Sequence, residues 1–563
     1  MSTNNIHAFI KNGNDVVIER IHAFFAQLVV NRKAPLSLAT DVNLNEVIQA
    51  ASYLKPGSYI PMTPGKNNRA LISMFSKFTV CVQALIVKAR AMYMSAGYDE
   101  LIDEYAGSSC GWLVVCHDGW DSIIKQFFGI SVYCIDLQSW IRYKLALGLA
   151  VPDGHNAQVC NDATMAVLKC YGIRRSDIVL SINDTTNTSL ATNRLIVGTD
   201  GTCNMHLTNL ACDHAIGKRK RTVNKEVVDS FEECEDLRLA VRRMIEYVWN
   251  KKAKSRKINY EKRNEQIDYN VIKVGIDNNT RISSYARMYQ QALRCKWTLH
   301  QYFAHYKSSV CNAYELSDER WQSVAGVEAI IRSVCALSFA TQIDSQLVAS
   351  ASWPNVVKTK ITARAEQLGV IGSKLRDRIQ KELDSYFPFP SDQQLVAMIC
   401  DPVMLTLALP WLCAAGYKDN VNNAKELFKS ALVDEATRSF QPLELDAMRN
   451  VPLDDDDVDK LDEIDKSKVR SANWIYVSEI VDVSQWWRKN NVHHRLTERI
   501  TARHLGAPDS NGLQERMFLV CKHIDNALRQ NLGNAKFEML LILRSTKRLL
   551  KTWKAKTYSR STT

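Results

Sequence analysis

The stretch that decides the fold is Gly111–Trp120, GWLVVCHDGW, in which an apolar run leads directly into His117 and Asp118. An uncharged, Val-containing run of this length predicts a buried β-strand. An acid that ends such a strand lies at the edge of a sheet, where side chains from neighbouring strands can meet. Asp118 is therefore the first candidate functional residue.

Further strand-like runs surround this one in a definite order. Gly129–Ile135 and Leu145–Val151 follow, then a helical stretch at His155–Tyr171, a fourth strand at Asp177–Ile182 and a short fifth candidate at Arg194–Gly198. Three strands, a helix and further strands predict an α+β fold with a mixed sheet, an order that matches the core of the RNase H fold.

Two more acids stand where such a sheet would bring them towards Asp118. Asp184 follows the fourth strand, and Glu515 opens a helical pattern near the C-terminus. Carboxylates from two strand ends, completed by a helical Glu, can hold two divalent metal ions, which clamp the oxygens of an in-line phosphoryl displacement. Oxygen ligands favour Mg²⁺ or Mn²⁺. Asp118, Asp184 and Glu515 are thus predicted to be both catalytic residues and metal ligands.

The bulk properties restrict the class of protein. The chain has 563 residues, 46% of them hydrophobic, and a net charge of +12, which favours an anionic partner such as double-stranded DNA. Most of the 15 cysteines lie in apolar runs and are expected to be free thiols in a reducing compartment. No secretory signal is expected, and the apolar stretch Val403–Tyr417 is too short for a bilayer span, so no membrane partner is predicted.

Composition and periodicity divide the chain into segments. The predicted segments are a helical N-terminal region at 1–105, the first part of the sheet-containing core at 106–216, a large helical insertion at 217–477 with an acidic linker at 454–465, the C-terminal part of the core at 478–550, and a basic tail at 551–563.

The order of several short motifs resembles that of the hAT superfamily of DNA transposases, over most of the chain after about residue 105. In the first half the motifs are Asp118–Ser122, Phe128–Val132, His155–Ala157, Tyr171–Ile173, Asp184–Asn187 and Cys203–His206. In the second half they are Asp401-Pro402, Trp486-Trp487, Ala502 to Ser510, Glu515–Phe518 and Phe537–Leu540, the last group resembling the family's dimerisation region.

The resemblance implies an enzyme that cuts DNA at transposon ends with Asp118, Asp184 and Glu515 and joins the freed end to target DNA. It also implies nuclear location and self-association as a homodimer or higher oligomer. The competing hypothesis is a domesticated, catalytically inactive protein descended from a transposase, which binds DNA or dimerises as a regulator.

Each candidate also has a plainer interpretation. Asp118 before a glycine is typical of a turn, Asp184 of a helix cap, and Glu515 of a solvated helical acid. Asp200 is a rival for the second acid. Cys203 and His206 have the spacing of half a zinc site without a second pair, so a structural role near the site is predicted for them.

Two features depart from the hAT pattern. The first hundred residues contain one cysteine, Cys81, so the family's N-terminal BED zinc finger is expected to be absent. The family's stacking Trp is replaced by Ile282 after Arg281, and Trp297 is the nearest aromatic alternative. Candidates for DNA-backbone contact are Arg281 and a basic cluster formed by Lys218, Arg219, Lys220 and Arg221. The cluster is also consistent with a nuclear-import signal or with a solvated loop.

Overall fold

The fold is α+β, mostly helical with a small mixed sheet. The computed structural model describes residues 64–93, 111–121, 126–154, 156–198, 201–223, 226–249, 256–261, 282–306, 312–342, 349–362, 369–439, 482–490, 495–524 and 534–545. The chain forms two compact units. One contains Met1–Gly201 and Asn511–Thr563, and the other is continuous from Thr202 to Ser510.

The sheet of the first unit has the strand order β3-β2-β1-β4-β5. Its strands are β1 (Leu113–Asp121), β2 (Gln126–Asp136), β3 (Ile141–Ala150), β4 (Ile178–Asn183) and the short β5 (Gly201–Thr202). β1, β2 and β3 are antiparallel neighbours, whereas β4 runs parallel to β1. This mixed order places β1, the strand that carries Asp118, in the middle of the sheet.

Helices cover both faces of this sheet. They are α1 (Pro64–Tyr93), α2 (Ala157–Cys170), α3 (Asn187–Val197), α16 (Gly512–Ile524) and α17 (Asn534–Ser545). Gly148 of β3 pairs with Ile130, the residue after Gly129 on β2. Because successive side chains of a strand point to opposite faces of the sheet, Gly129 and Gly148 lie on opposite faces. Gly129 approaches Phe518 of α16, and Gly148 approaches Val167 of α2.

A buried acid ties α1 to the sheet. Asp177 is fully buried immediately before β4. Arg90 of α1 forms a bidentate ion pair with it, from Nε to Oδ1 at 2.9 Å and from Nη2 to Oδ2 at 2.5 Å. Trp112 adds a hydrogen bond from Nε1 to Asp177 at 3.1 Å. A bidentate arginine and further donors satisfy the carboxylate, which is the condition under which a charge is tolerated in a core.

After Thr202, the last residue of β5, the described residues of the second unit are helical apart from a hairpin. The hairpin strands are β6 (Arg221–Val223) and β7 (Glu226–Asp229), and they form their own two-stranded sheet. The helices are α4 (Asn204–Ala215), α5 (Glu232–Trp249), α6 (Ile282–Arg294), α7 (Lys296–His305), α8 (Asp318–Ala340), α9 (Ser352–Thr362), α10 (Gly369–Tyr386), α11 (Asp392–Cys400), α12 (Leu409–Ala414), α13 (Lys418–Ser439), α14 (Val483–Asn490) and α15 (Arg495–Gly506).

α8 is the central helix of this unit's core. It begins at a serine cap, Ser317, and buries apolar side chains along its length, including Trp321, Val327 and Val334. Such a helix, apolar on more than one face, is expected where neighbours surround it on several sides. Its packing gives the second unit an apolar core that extends from α4 to α13.

By length and composition alone, two described helices pass as candidate membrane spans, at Asn68–Tyr93 and Asp318–Ala340, and a bent pair at Asp392–Cys400 and Met404–Ala414 would make a third. α8 lies in the helical core, and Tyr93 of α1 donates a hydrogen bond to Ile135 O at 2.9 Å. The apolar window of α8 is 56% buried and that of α1 is 22% buried.

The α+β class predicted from the sequence is confirmed, with two errors in detail. Arg194–Gly198, predicted as a fifth strand, is the end of α3, which stops at Gly198 with a φ of 77°. The fifth strand instead follows at Gly201–Thr202. The region after residue 217, predicted to be helical almost throughout, begins with the β6–β7 hairpin. Asp200, Arg281, the linker at 454–465 and the tail at 551–563 lie outside the described residues.

Candidate active site

Asp118 lies inside β1, opposite Gly129 of β2, and the strand continues to Asp121. It is therefore not a turn residue. The parallel ladder between β1 and β4 ends earlier, at the pair Cys116 and Ile182. Asp118 thus lies just beyond the last β1–β4 pair, where its carboxylate is partly exposed.

Asp184 is the first residue after β4 and occupies the same relative position on the neighbouring strand. Its Oδ1 accepts a hydrogen bond from the Thr186 backbone N–H at 3.2 Å and lies 3.0 Å from Thr186 Oγ1. The cap of α3 is Thr186, whose hydroxyl accepts from Ser189 N. Asp184 therefore supports the capping residue, but the cap itself is Thr186.

Glu515 reaches the sheet from the first turn of α16, about four hundred positions further along the chain. Two side-chain amides fix that turn on β1. Asn511 Nδ2 donates to His117 O at 3.1 Å, and Gln514 Nε2 donates to Cys116 O at 2.9 Å and to Ser131 Oγ at 2.9 Å. The helix that carries Glu515 is thus held on the backbone directly before Asp118.

The three acids interact electrostatically. The pKa of Asp118 is raised from 3.8 to about 8, chiefly by burial and then by the negative charges of Asp184 and Glu515, against a hydrogen bond from the Gly119 backbone N–H. Carboxylates close enough to raise the pKa of Asp118 repel it when it is ionised, and a cation among them would relieve the repulsion.

Behind the acids, a fully buried polar cluster joins β1, β4 and α3. His117 Nε2 lies 3.1 Å from Asn193 Oδ1 and 3.1 Å from Asn183 Nδ2. Protonated on Nε2, His117 donates to Asn193 Oδ1; protonated on Nδ1, it accepts from Asn183 Nδ2–H. Burial lowers the pKa of His117 to about 4, against the opposing effects of Asn193 and Asp184, so the ring is neutral at physiological pH.

The three acids lie further apart than the ligands of a bound metal ion would. Among the described residues, no three His, Cys, Asp or Glu side chains already surround one point as metal ligands would. The donor set itself, three carboxylates around a partly desolvated position, suits a hard cation such as Mg²⁺ or Mn²⁺. A bound ion would draw the carboxylates closer than they lie here.

Cys203 and His206 belong to the start of α4, in the second unit. Cys203 is buried at the N-cap position, and His206 is half-buried in the first turn. The neighbouring Asn204 donates from Nδ2 to Asp509 Oδ1 at 2.6 Å and to Ser352 Oγ at 2.9 Å. No third ligand joins Cys203 and His206 in the described part of the chain, and their predicted structural role stays a prediction.

The basic cluster is partly engaged by the protein itself. Lys218 Nζ lies 3.4 Å from Asp213 and 5.1 Å from the centre of the Tyr285 ring. Arg219 and Lys220 are exposed, although Arg219 Nε is 3.9 Å from Asp213. Arg221 begins β6, and its side chain lies outside the described residues. DNA contact by this cluster stays a prediction.

The aromatic and late motifs have structural explanations. Ile282 is buried at the start of α6, so this position faces the core and not a ligand, whereas Trp297 on α7 is 62% exposed. Asp401 Oδ1 accepts from the Val403 and Met404 backbone N–H groups and caps the turn that follows α11. Trp487 is buried and donates to Cys400 O at 2.9 Å, so it packs within the helical unit.

Sequence reasoning overlooked the polar residues that hold the acids in place. His117 and Asn183 each immediately precede an acid and interrupt an otherwise apolar strand, and this shared offset was a usable signal. Asn193, Asn511 and Gln514 carry no such signal, because their partners are backbone or side-chain atoms of distant segments.

Comparison with known proteins gives no relative for this chain. No protein-family model matches it, and no curated protein matches its sequence.

Proposed function

We propose that this protein is a metal-dependent DNA-cleaving enzyme of the hAT transposase kind, with an RNase H-like core. Asp118, Asp184 and Glu515 are its catalytic acids and would hold Mg²⁺ or Mn²⁺. The observation that carries the proposal is geometric: Asp118 and Asp184 follow adjacent ends of the β1–β4 ladder, and the turn that carries Glu515 is hydrogen-bonded to the β1 backbone just before Asp118.

The strand order supports this proposal. Three antiparallel strands, β3-β2-β1, continue into a parallel β4, and the acids follow at the ends of the β1–β4 ladder. Along the chain, β1 to β3, α2 and β4 also follow the order of three strands, a helix and a further strand that the sequence predicts for an RNase H-like core. The net charge of +12 suits a polyanionic substrate, because it favours association with phosphate backbones.

Each acid would have a distinct task. Asp118, whose pKa is raised to about 8 chiefly by burial, would give up its proton when a cation arrives. Asp184, held by Thr186, would keep its Oδ1 in a fixed direction, and Glu515 would complete the ligand set from α16. When bound, the divalent ion would supply Lewis-acid stabilisation of the attacking and leaving oxygens of the phosphodiester.

One observation favours a second candidate function. No three-ligand cluster stands preformed among the described residues, and Ile282, at the position of the family's stacking Trp, is buried. A domesticated protein that binds DNA or dimerises, with the acids retained for the fold, would have these features. The two candidates differ in whether DNA is cut.

The test is a cleavage assay with Mg²⁺ on DNA that carries the sequences flanking this gene. The natural protein is compared with Asp118→Ala and with the exposed control Asp153→Ala. Strand breaks or hairpins made by the natural protein and the control, and lost in Asp118→Ala, support the enzyme. DNA binding without any cleavage supports the domesticated protein.

A further inference from the structure

We propose that Asn193 is a positioning residue for both strand-borne acids of the site. Its amide is hydrogen-bonded to the side chains that immediately precede Asp118 and Asp184, and so holds the two strand ends at a fixed separation. This inference rests on the proposed function, since it assigns a task to Asn193 only if the two acids share a ligand.

The need for such a residue follows from where the ladder stops. Backbone pairing between β1 and β4 ends at Cys116 and Ile182, so the main chains of the next residues, His117 and Asn183, have no ladder bond between them. The contact between those residues is instead made by side chains, with Asn183 Nδ2 at 3.1 Å from His117 Nε2. Beyond the ladder, separation of the two chains depends on this cluster.

Asn193 contacts both other residues of the cluster, His117 and Asn183. Its Oδ1 accepts from Asn183 Nδ2–H at 3.1 Å and lies 3.1 Å from His117 Nε2. Its Nδ2 donates to Asn183 Oδ1 at 3.0 Å and to Gly201 O at 2.7 Å. One amide therefore makes four polar contacts with three residues, on β1, β4 and β5, which matches its full hydrogen-bonding capacity.

The burial of this cluster makes its geometry stiff. His117, Asn183 and Asn193 are all inaccessible to solvent, so water does not replace a lost partner. Asn183 is held further by donation to Ser189 O at 2.6 Å. Replacement of Asn193 would therefore displace the ends of β1 and β4, because buried polar groups that lose a hydrogen-bond partner rearrange to form new hydrogen bonds.

A plain folding role predicts something different from a positioning role. If Asn193 only stabilises the first unit, its replacement lowers stability and leaves the metal affinity of the folded fraction unchanged. If it positions the acids, the metal affinity of the folded protein falls. Asn161 on α2 is a matched control, because it is also buried and bonded, to Asp162 and Arg175, away from the strand ends.

The experiment measures Mn²⁺ binding to the full chain at pH 8 by electron paramagnetic resonance of the free ion, for the natural protein, Asn193→Leu, Asn193→Ser and the controls Asn161→Leu and Asn161→Ser. Folding is monitored by circular dichroism, and the Ser pair serves if a Leu variant does not fold. We expect Mn²⁺ affinity at least about tenfold weaker in the Asn193 variants than in the Asn161 variants.

The outcomes separate the two proposals. Natural affinity in folded Asn193 variants overturns the positioning role and leaves the proposed function standing. A natural protein that takes up no Mn²⁺ at all overturns both. A tenfold loss confined to the Asn193 variants, with a matching rise in the Mn²⁺ concentration needed for half-maximal DNA cleavage, is the result we predict.

Discussion

Asp118 is half-buried and lies near two other carboxylates. It is desolvated by the strands around it and repelled by two other carboxylates, and both effects raise its pKa, to about 8. At neutral pH the side chain is therefore largely protonated until a cation arrives. The same residue that would bind a metal thus resists ionisation without one.

This raised pKa makes Asp118 a source of pH-dependent instability. Since the folded pKa is about 8 and the ordinary value is 3.8, the folded state holds a proton that the unfolded state loses, and stability falls as the pH rises from about 4 to 8. Asp118→Asn should remove this loss. We expect the variant to be more stable than the natural protein by more than about 1 kcal/mol at pH 8 and nearly equal at pH 4.

Urea denaturation at pH 4, 6 and 8, without divalent ions, measures this difference. The control is Asp153→Asn, an exposed acid in the same unit, for which no such pH-dependent gain is expected. An Asp118→Asn variant that is destabilised equally at all three pH values would contradict the desolvated position of the acid.

Metal binding should compete with the proton on Asp118. A ligand must lose its proton before it binds an ion, so Mg²⁺ affinity should rise by up to about tenfold for each pH unit between 6 and 8 and level off above that. Isothermal titration in two buffers of different ionisation enthalpy measures the proton released. A proton release near zero at pH 7 would show that Asp118 is not a ligand.

Among the structural elements of the site, α16 is the one most distant in sequence from β1. Gln514 and Asn511 hold it by donating to carbonyls of β1 and to Ser131. We expect Gln514→Ala to leave two buried acceptors without their donor and to cost about 1–3 kcal/mol. Amide hydrogen exchange should show α16 losing protection before the strands do.

Gln158→Ala on α2 is the control for that exchange measurement, because Gln158 is bonded only on the surface, to Asp162. Equal loss of protection in the sheet and in α16 of Gln514→Ala would mean that the glutamine supports the whole unit and not the helix alone.

The close approach of α16 to the sheet also depends on Gly129. A Cβ at this position would overlap Gln514 Oε1 and lie 3.1 Å from the Phe518 ring. Gly129→Ala should therefore push α16 outwards, lowering stability by about 1–3 kcal/mol and weakening metal binding through Glu515. Gly119→Ala on the adjacent strand meets no atom within 4 Å and should change stability little. Thermal denaturation compares the two, and equal effects would contradict the docking.

The sequence predicts these elements well where the signal is local. Four strands and α2 were located to within a few residues, because apolar runs and a helical period mark them. The fifth strand was misplaced, since Arg194–Gly198 reads as a β-branched run but continues the helix that Thr186 caps. The hairpin at β6–β7 was missed because each strand is short and polar.

At the scale of the whole molecule, the two units differ in how the chain builds them. The helical unit is continuous from Thr202 to Ser510, whereas the sheet unit needs a second segment that begins at Asn511. Local patterns predicted both helical regions and the return of the chain at the third acid. They could not predict the amide bonds that dock α16, because those pair residues almost four hundred positions apart.

A truncation after Ser510 should therefore affect the two units unequally. Loss of α16 and α17 uncovers one face of the sheet, including the partners of Gly129 and Phe127, whose ring stacks on Phe537 at 5.2 Å. We expect strand signals in the circular dichroism spectrum to weaken and α8 amides to keep their protection from exchange. Cooperative loss of both units would contradict their separate cores.

The central claim is that Asp118, Asp184 and Glu515 together bind divalent metal ions. The measurement that tests it most directly is anomalous diffraction from crystals grown at pH 8 and soaked in Mn²⁺. We predict an anomalous peak about 2.1 Å from carboxylate oxygens of Asp118 and Asp184, with Glu515 turned towards it, and no peak in Asp118→Asn. A natural protein with no peak between these carboxylates at saturating Mn²⁺ would contradict the claim.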